Sequence, residues 1–315
     1  MTWRNWGRTE TADPVRVLHP TSEAHVVTAI QQAAADGLPV KPVGAGHSFS
    51  GIAVAPGVQL ELSGLTGLVA ADATTGRVTL RAGTPLHVIP ELLAPHGLAM
   101  PNLGDIDRQT ISGAVATGTH GTGLGFGGIA TQVVGARVVD GWGEVHVLDE
   151  HHKWLPAVAL GLGALGVVTE LTLQCVPAFL LEAVERPEPL DRVLDTWDER
   201  IRAHDHVEFY WFPHTRTALT KTNTRLPAHT PVAGPGKLRR YMVEHQDHMV
   251  EQICRETGKS RTDALMAELY SSLDMIRYYE KHAERILREQ KAPTPLVLFP
   301  KQSRIWFEPL GPVLV

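Results

Sequence analysis

The sequence predicts an α+β fold with a mostly helical segment appended, and three observations predict it. Short apolar or alternating runs bounded by turn residues recur through the first two thirds of the chain, a few amphipathic helical stretches interrupt them, and the composition changes near residue 234. In chain order, Val26, Val27, Ile30 and Ala34 keep helical spacing between Thr21, an N-cap residue type, and Gly37, a stop, so an amphipathic helix is expected there. The runs LPVKPV, VQLEL and RVTLRAG then read as strands. A second helix is expected to start at Thr84-Pro85, where proline suits the first helical position, and to end at Gly97. VVGARVV and EVHVL flank Asp140-Gly141-Trp142-Gly143 as a hairpin, and GVVTELTL and HVEFYWF follow as strands. This pattern favours antiparallel pairs over a regular βαβ array.

The break near residue 234 is sharp. Residues 1–233 hold 25 glycines and residues 234–315 hold 4, while the net charge passes from −7 to +2. Thr224 to Gly236 carries Pro227, Pro231 and Pro235, the chemistry of an irregular connector. From Lys237 to Arg288 there is one glycine and no proline, and Leu238, Met242, Met249, Ile253, Leu265, Leu269, Leu273 and Ile276 keep helical spacing. PLVLFP and SRIWFEPLGPVLV, after Pro293, read as short strands.

Composition excludes several classes of protein. At 43% hydrophobic and 20% charged residues, the 315-residue chain can bury one large core or two ordinary ones. Lys plus Arg total 29 against 34 Asp plus Glu, so the basic footprint that nucleic acid requires is missing. Cys175 and Cys254 are far apart and form no CxxC, which suits a reducing compartment. The opening MTWRNWGRTE reads as no signal peptide, and the longest apolar stretch, Leu155 to Val168, is shorter than the ~20 residues of a membrane span. A cytoplasmic protein is expected.

Two segments are dense in small residues. Val43 to Gly51 (VGAGHSFSG) follows a strand, and Thr110 to Gly123 (TISGAVATGTHGTG) contains His120, expected to be buried. Glycines let backbone N–H groups converge on a ligand, so two such loops suggest a large, flat, anionic one. The strings Gly123 to Gly128 and Gly161 to Gly166 match GxGxxG in form, but both run into strand-like sequence rather than a helix, against a nicotinamide-binding Rossmann unit.

TWRNWGR, VGAGHSFSGIA, PNLGDIDRQTISGAVATGTHGTG, LGALGVVTELTLQ and HVEFYWFPHTRTALTKTNTR, in this order, resemble the sugar-1,4-lactone oxidase and dehydrogenase family. That family includes the L-gulono-1,4-lactone, D-arabinono-1,4-lactone and alditol oxidases and carries an FAD-binding domain of the vanillyl-alcohol oxidase type. The resemblance implies an FAD-binding domain over residues 1–177 and the start of a truncated substrate cap over 178–230. It implies that Gly44, Ala45, Gly46, His47 and Ser48 wrap the FAD pyrophosphate, with His47 bonded covalently to the 8α-methyl of the flavin. Asp105, Thr110, Gly113, Thr117, Gly118 and His120 would line the flavin and ribityl chain, and Val168 the adenine side. Asp105 stands where the family often has a small hydroxyl residue.

Past a linker at 231–236, RETGKSRTDALMAEL, SLDMIRYYEKHAERIL and PLVLFPKQSRIWFEPLGPVLV resemble the N-terminal portion of an NAD(P)-dependent aldehyde dehydrogenase over residues 237–315, without its nucleotide loop or nucleophilic cysteine. No Glu-x-Arg pair of the kind the lactone oxidases use follows the cap strands. The implied function is oxidation of a CHOH group of a sugar lactone or polyol by hydride transfer to flavin, with oxygen or another electron acceptor, turnover being very weak or absent without that pair and the catalytic residues unknown. A non-catalytic flavin-binding or structural relic is the rival, and NAD-dependent aldehyde oxidation is the least favoured. Self-association through residues 237–315 is expected from their apolar stripe. His204, His206 and Glu208 share a strand face at a spacing that could ligate a metal, though a polar strand face accounts for them, and Tyr210 and Trp211 read as strand packing.

Overall fold

The computed structural model describes residues 2–231 and 237–286, with two further strand pieces, Gln290–Ala292 and Ser303–Ile305. Most of the expected 231–236 linker and the PLVLFP run lie outside the described residues. The chain divides into two compact units, Met1–Ala228 and His229–Val315.

The first unit opens with a small hairpin in which Trp3 pairs with Ala12 and Arg4 with Thr11. A three-stranded sheet follows, made of β1 (Arg16–Leu18), β2 (Val40–Val43) and β3 (Val58–Glu61), with β3 in the middle and both pairings parallel. Helix α1 (Glu23–Ala35) crosses between β1 and β2, so a βαβ unit stands where antiparallel pairing was expected. Its N-cap is Ser22, one residue after the expected Thr21: the Ser22 hydroxyl accepts from the His25 backbone N–H at 3.2 Å, while Thr21 turns its own hydroxyl to the His25 ring. Val26, Ile30 and Ala33 of α1 bury against Val58 and Leu60 of the sheet, each large side chain contributing about 1.5–3 kcal/mol.

The second sheet is antiparallel, with spatial order β7, β6, β8, β5, β4, formed by β4 (Leu68–Asp72), β5 (Arg77–Arg81), β6 (Val133–Val139), β7 (Val145–Leu148) and β8 (Val167–Gln174). The expected helix from Thr84 to Gly97 is broken into α2 (Ile89–Leu93) between two short 3-10 turns. Pro90 lacks an N–H and suits only the first turn of a helix, so α2 starts around it, and Pro95 cannot continue α2, so the chain tightens there before Gly97 turns it at φ +65°. Two more short helices, α3 (Ile111–Ala116) and α4 (Leu155–Ala159), join α2 on one face of this sheet, where Leu86, Ile89, Leu93, Ile111 and Leu155 pack on Leu80, Leu171 and Leu173. Arg137 of β6 clamps Glu23 of α1 with both carboxylate oxygens, at 2.6 and 3.0 Å, and Thr169 donates to the same carboxylate at 2.8 Å. The helix is thereby pinned to the sheet, and the Glu23 carboxyl is held below its usual pKa, first by the Arg137 bond.

A third sheet places β9 (Phe179–Pro189) beside β11 (Thr217–Pro227), which also pairs with β10 (His206–Trp211). Pro187 and Pro189 are tolerated because β9 is an edge strand. Helices α5 (Leu190–Asp195) and α6 (Trp197–Ala203) lie between β9 and β10 in sequence, and Leu190, Val193 and Ala218 form a small core with Trp197 and Phe209. Tyr210 and Trp211 are about half exposed, at 48% and 46%, rather than packed.

The second unit is helical as its spacing predicts, with α7 (Lys237–Glu244), α8 (Gln246–Thr257) and α9 (Ser271–Ile286). Met242, Val250, Ala264 and Leu269 form its core, and Gly258 ends α8 in the left-handed region.

Candidate functional site

Both glycine-rich segments reach one partly open cleft of the first unit. The loop after β2 packs so closely on the start of α3 that a Cβ on Gly44 would lie 2.4 Å from the Thr110 hydroxyl oxygen. That hydroxyl is already engaged as the N-cap of α3, accepting from the Gly113 N–H at 3.3 Å. Glycine is therefore imposed at 44 by contact, and at 46 by a φ of +66° beside the Trp3 ring. A third stretch, Gly161 to Gly166, closes the opposite wall, with Leu162, Gly163 and Gly166 all at positive φ. Leu162 and Leu165 remain 44% and 40% exposed on that wall. Lys41 reaches across and donates to the Leu162 carbonyl at 2.9 Å, and burial pulls its ammonium pKa down. His47 lines the same cleft, its indole neighbour Trp6 stacked at 5.3 Å and 21°, and burial lowers the imidazole pKa as well. A neutral ring is the form favoured at pH 7.

A second cavity lies where the 100–105 and 120–122 segments meet the third sheet. Its centre is Lys221 of β11, 3.0 Å from Glu208 Oε1 of β10 and 3.6 Å from Asp105 Oδ1. Burial works to lower the Lys221 pKa, but the Glu208 hydrogen bond and the two carboxylate charges outweigh it, and the pKa stands above the ordinary value. Buried His206 closes one side: its Nδ1 is 2.8 Å from the Thr122 carbonyl and its ring stacks on Phe126 at 4.9 Å. Arg225 donates to the Pro101 carbonyl and carries its guanidinium 4.5 Å above Phe126 and 4.2 Å above Phe179, tying the third sheet to the domain that carries the first cleft.

Of the residues singled out in the sequence, Gly44, Ala45, Gly46, His47, Ser48, Thr110, Gly113, Thr117 and Val168 line the first cleft together. Asp105 and His120 line the second cavity instead, and Gly118 forms the turn after α3 at φ +70°. His120 is exposed, not buried, because the chain leaves α3 at Gly118 and runs over the cavity rim. His204 hydrogen-bonds Thr224 and His206 bonds a carbonyl, and among the described residues no group of three or more His, Cys, Asp or Glu is placed to hold a metal. Sequence reasoning missed Lys41, Gln109 and Ser112 as lining residues and gave Gly161 to Gly166 no cofactor-binding role, setting it aside as a dinucleotide fingerprint. Its density of glycine among apolar residues was the available signal.

Known proteins share much of this sequence and its fold. Residues 14–149 match the family described as FAD binding domain, and residues 171–281 match that described as D-arabinono-1,4-lactone oxidase. The chain is 38% identical over 276 residues to L-gulono-1,4-lactone dehydrogenase of Mycobacterium tuberculosis, covering 86% of this chain and 64% of that protein. It is 35% identical over 215 residues to L-gulonolactone oxidase of Bos taurus, covering 68% and 49%, and 31% identical over 231 residues to D-arabinono-1,4-lactone oxidase of Candida glabrata, covering 70% and 44%. The chain thus spans less than two thirds of the length of these curated relatives. Among solved structures, cholesterol oxidase from B. sterolicum superposes with a TM-score of 0.64 at 19% identity over 86% of this chain and 58% of that one, a likeness of fold. The lactone oxidase match runs on to residue 281, past the linker at which the resemblance was expected to stop, so α7 and α8 fall within it and the aldehyde dehydrogenase resemblance of that stretch is set aside. Over residues 14–281 the chain is a homologue of sugar-1,4-lactone oxidases and dehydrogenases, with an FAD-binding domain match as its N-terminal part.

Proposed function

We propose that the first cleft holds FAD, bonded through His47, and that the second cavity receives a sugar lactone or polyol whose CHOH group is oxidised. The observation that carries this reading is the meeting of residues 44–48 with Thr110 to Thr117 on one cleft, in a homologue of these enzymes. The cleft fits the cofactor in three respects. Glycine-rich backbone on two sides leaves room for a group lying flat against it, Leu162 and Leu165 offer exposed apolar surface for an aromatic ring to cover, and Lys41 supplies positive charge toward a pyrophosphate. Bound there, FAD supplies the acceptor for a hydride and passes its electrons to dioxygen or another oxidant.

In the second cavity Lys221 donates and Glu208 and Asp105 accept, a pattern that suits the paired hydroxyl groups of a sugar. Among the described residues lining it, Lys221 is the one ammonium or guanidinium group, and its charge is already shared between two carboxylates. Little fixed charge is left to stabilise a developing alkoxide, so turnover is slow. We assign residues 1–177 to the flavin domain and the stretch from 178 on to the start of the cap, which the lactone oxidase match carries past 230 to 281, and exposed Leu238, Tyr241 and Met266 within 237–315 favour self-association. Free Cys175 and Cys254 suit a cytoplasmic location, and among the described residues no helix is long and apolar enough to cross a membrane.

Reconstitution of the purified protein with FAD, followed by absorption spectroscopy and assay with L-gulono-1,4-lactone, tests the reading. Flavin bands are expected, with turnover well below the median enzyme value of about 10 per second. Absence of flavin bands overturns the cofactor assignment. A bound flavin that lactone neither reduces nor perturbs overturns the substrate assignment and leaves a non-catalytic flavin protein.

A further inference from the structure

We propose that Trp6, supported by Asn5, is a positioning residue that sets the His47 imidazole for bonding to the flavin, an inference that rests on the covalent reading above. The loop of the N-terminal hairpin directs its polar groups onto the segment that carries His47. The Trp6 N–H donates to the Gly46 carbonyl at 2.8 Å, Asn5 Nδ2 to the Ser48 carbonyl at 2.8 Å, and the Thr9 hydroxyl to the Phe49 carbonyl at 3.1 Å. Carbonyls on both sides of His47 are thus held, which fixes the peptide planes from which its side chain leaves. Asn5 is only 2% exposed, and its amide is fully committed, since Nδ2 also donates to the Thr9 hydroxyl at 2.9 Å and Oδ1 accepts from the Glu10 N–H at 3.1 Å.

Those bonds fix the backbone but not the imidazole, whose own rotation is free to them. Among the described contacts of the His47 ring the orienting one is the Trp6 indole, stacked 5.3 Å away at 21°, with Phe49 edge-on to the indole at 6.0 Å. A near-parallel stack covers one face and leaves the ring edge, which carries the nitrogen lone pair, available to the cleft that His47 lines. Trp6 is 58% exposed, so its side chain belongs to no core and its removal should cost the fold little. Burial of an aromatic ring explains neither its place nor its orientation; the imidazole does.

In the reaction this orientation serves, a bond forms between an imidazole nitrogen and the 8α carbon, and one C–H bond of that methyl breaks. The methyl proton and the imidazole N–H proton pass to solvent. The two electrons enter the flavin ring and leave to dioxygen, which departs as hydrogen peroxide.

The test follows attachment of FAD to full-length apoprotein as flavin that stays with the polypeptide after acid precipitation, across pH, for wild type, His47→Ala, Trp6→Ala and Trp6→Phe. Wild type should retain flavin and His47→Ala release it. Trp6→Ala should attach about tenfold more slowly or worse, with total FAD binding and melting temperature unchanged. Its pH profile should move to higher pH, as the uncovered imidazole regains its ordinary pKa, and Trp6→Phe should restore most of the rate. Attachment at the wild-type rate in Trp6→Ala overturns the inference and leaves the covalent reading standing, and so does loss of FAD binding in step with melting temperature. If wild type itself surrenders all its flavin to acid, the covalent reading falls first and the inference with it.

Discussion

Glu188, at the end of the edge strand β9, is a carboxylate at 5% exposure whose oxygens take hydrogen bonds from Arg200 at 2.7 and 2.8 Å, Arg186 at 3.1 Å and Thr220 at 3.0 Å. The Arg200 bond above all brings its pKa down to about 2 from 4.5. A depressed carboxylate adds stability that is fully present above 4.5 and is lost as pH falls from there toward 2. Glu188→Gln should therefore lower the melting temperature at pH 7, by about 3 kcal/mol of stability, and flatten the acid limb of the stability curve; equal acid limbs in the two proteins would refute this. The Cys175 thiol, pushed up to about 11 by burial, stays protonated at pH 8, whereas Cys254 is partly exposed in α8. A disulfide exchange reagent should titrate one thiol quickly in the native protein and two after denaturation. Gly44→Ala drives a methyl into the Thr110 hydroxyl, so the cap of α3 and the cleft must shift together, and FAD affinity measured by fluorescence should fall about tenfold or more. The need for glycine at 44 was legible in the sequence only as a count of small residues; its cause, a contact with a residue 66 positions away, was not.

Between elements, the sequence revealed what local spacing controls. The spacing of Val26, Val27, Ile30 and Ala34 pointed to α1, although its buried stripe is Val26, Ala29, Ile30 and Ala33 with Ala34 exposed, and the alternation in VVTELTLQ defined β8, whose residues alternate between buried and half-buried. It did not reveal that β1 and β2 flank β3 in parallel, because strand direction is set by where a crossover helix packs and not by the strand's own letters. It also hid α3, since six residues inside a glycine run carry too little periodicity to register. Position relative to the cavity was equally out of reach: Asp105 was read with the flavin loop, yet an ion pair with Lys221 on a strand 116 residues later places it in the second cavity. The join between the third sheet and the rest of the first unit rests on Arg225, held by a carbonyl and two aromatic faces. Arg225→Met should lower stability by about 2 kcal/mol and speed amide exchange in β9 and β11 more than in β5 and β8. Uniform exchange across all four strands would show that the join carries no such role.

At the scale of the whole molecule, every described residue lining the first cleft falls between Lys41 and Leu171, inside the first compact unit. A fragment of residues 1–230 should consequently bind FAD within about twofold of the full chain, a difference of only about 0.4 kcal/mol, and a fluorescence titration of both decides the point. Failure of the fragment alone to bind would assign the second unit a part in holding the cofactor. The N-terminal hairpin, for its part, bears on how the protein is handled at the bench. Trp3 lies against Gly46 and Trp6 against His47, so the first few residues brace the loop that lines the cleft rather than forming a tail. A purification handle fused ahead of Met1 would crowd that brace, whereas one placed after Val315 would stand at the other end of the sequence, in the unit that contributes nothing described to the cleft. Preparations that differ only in which end carries the handle should then differ in colour.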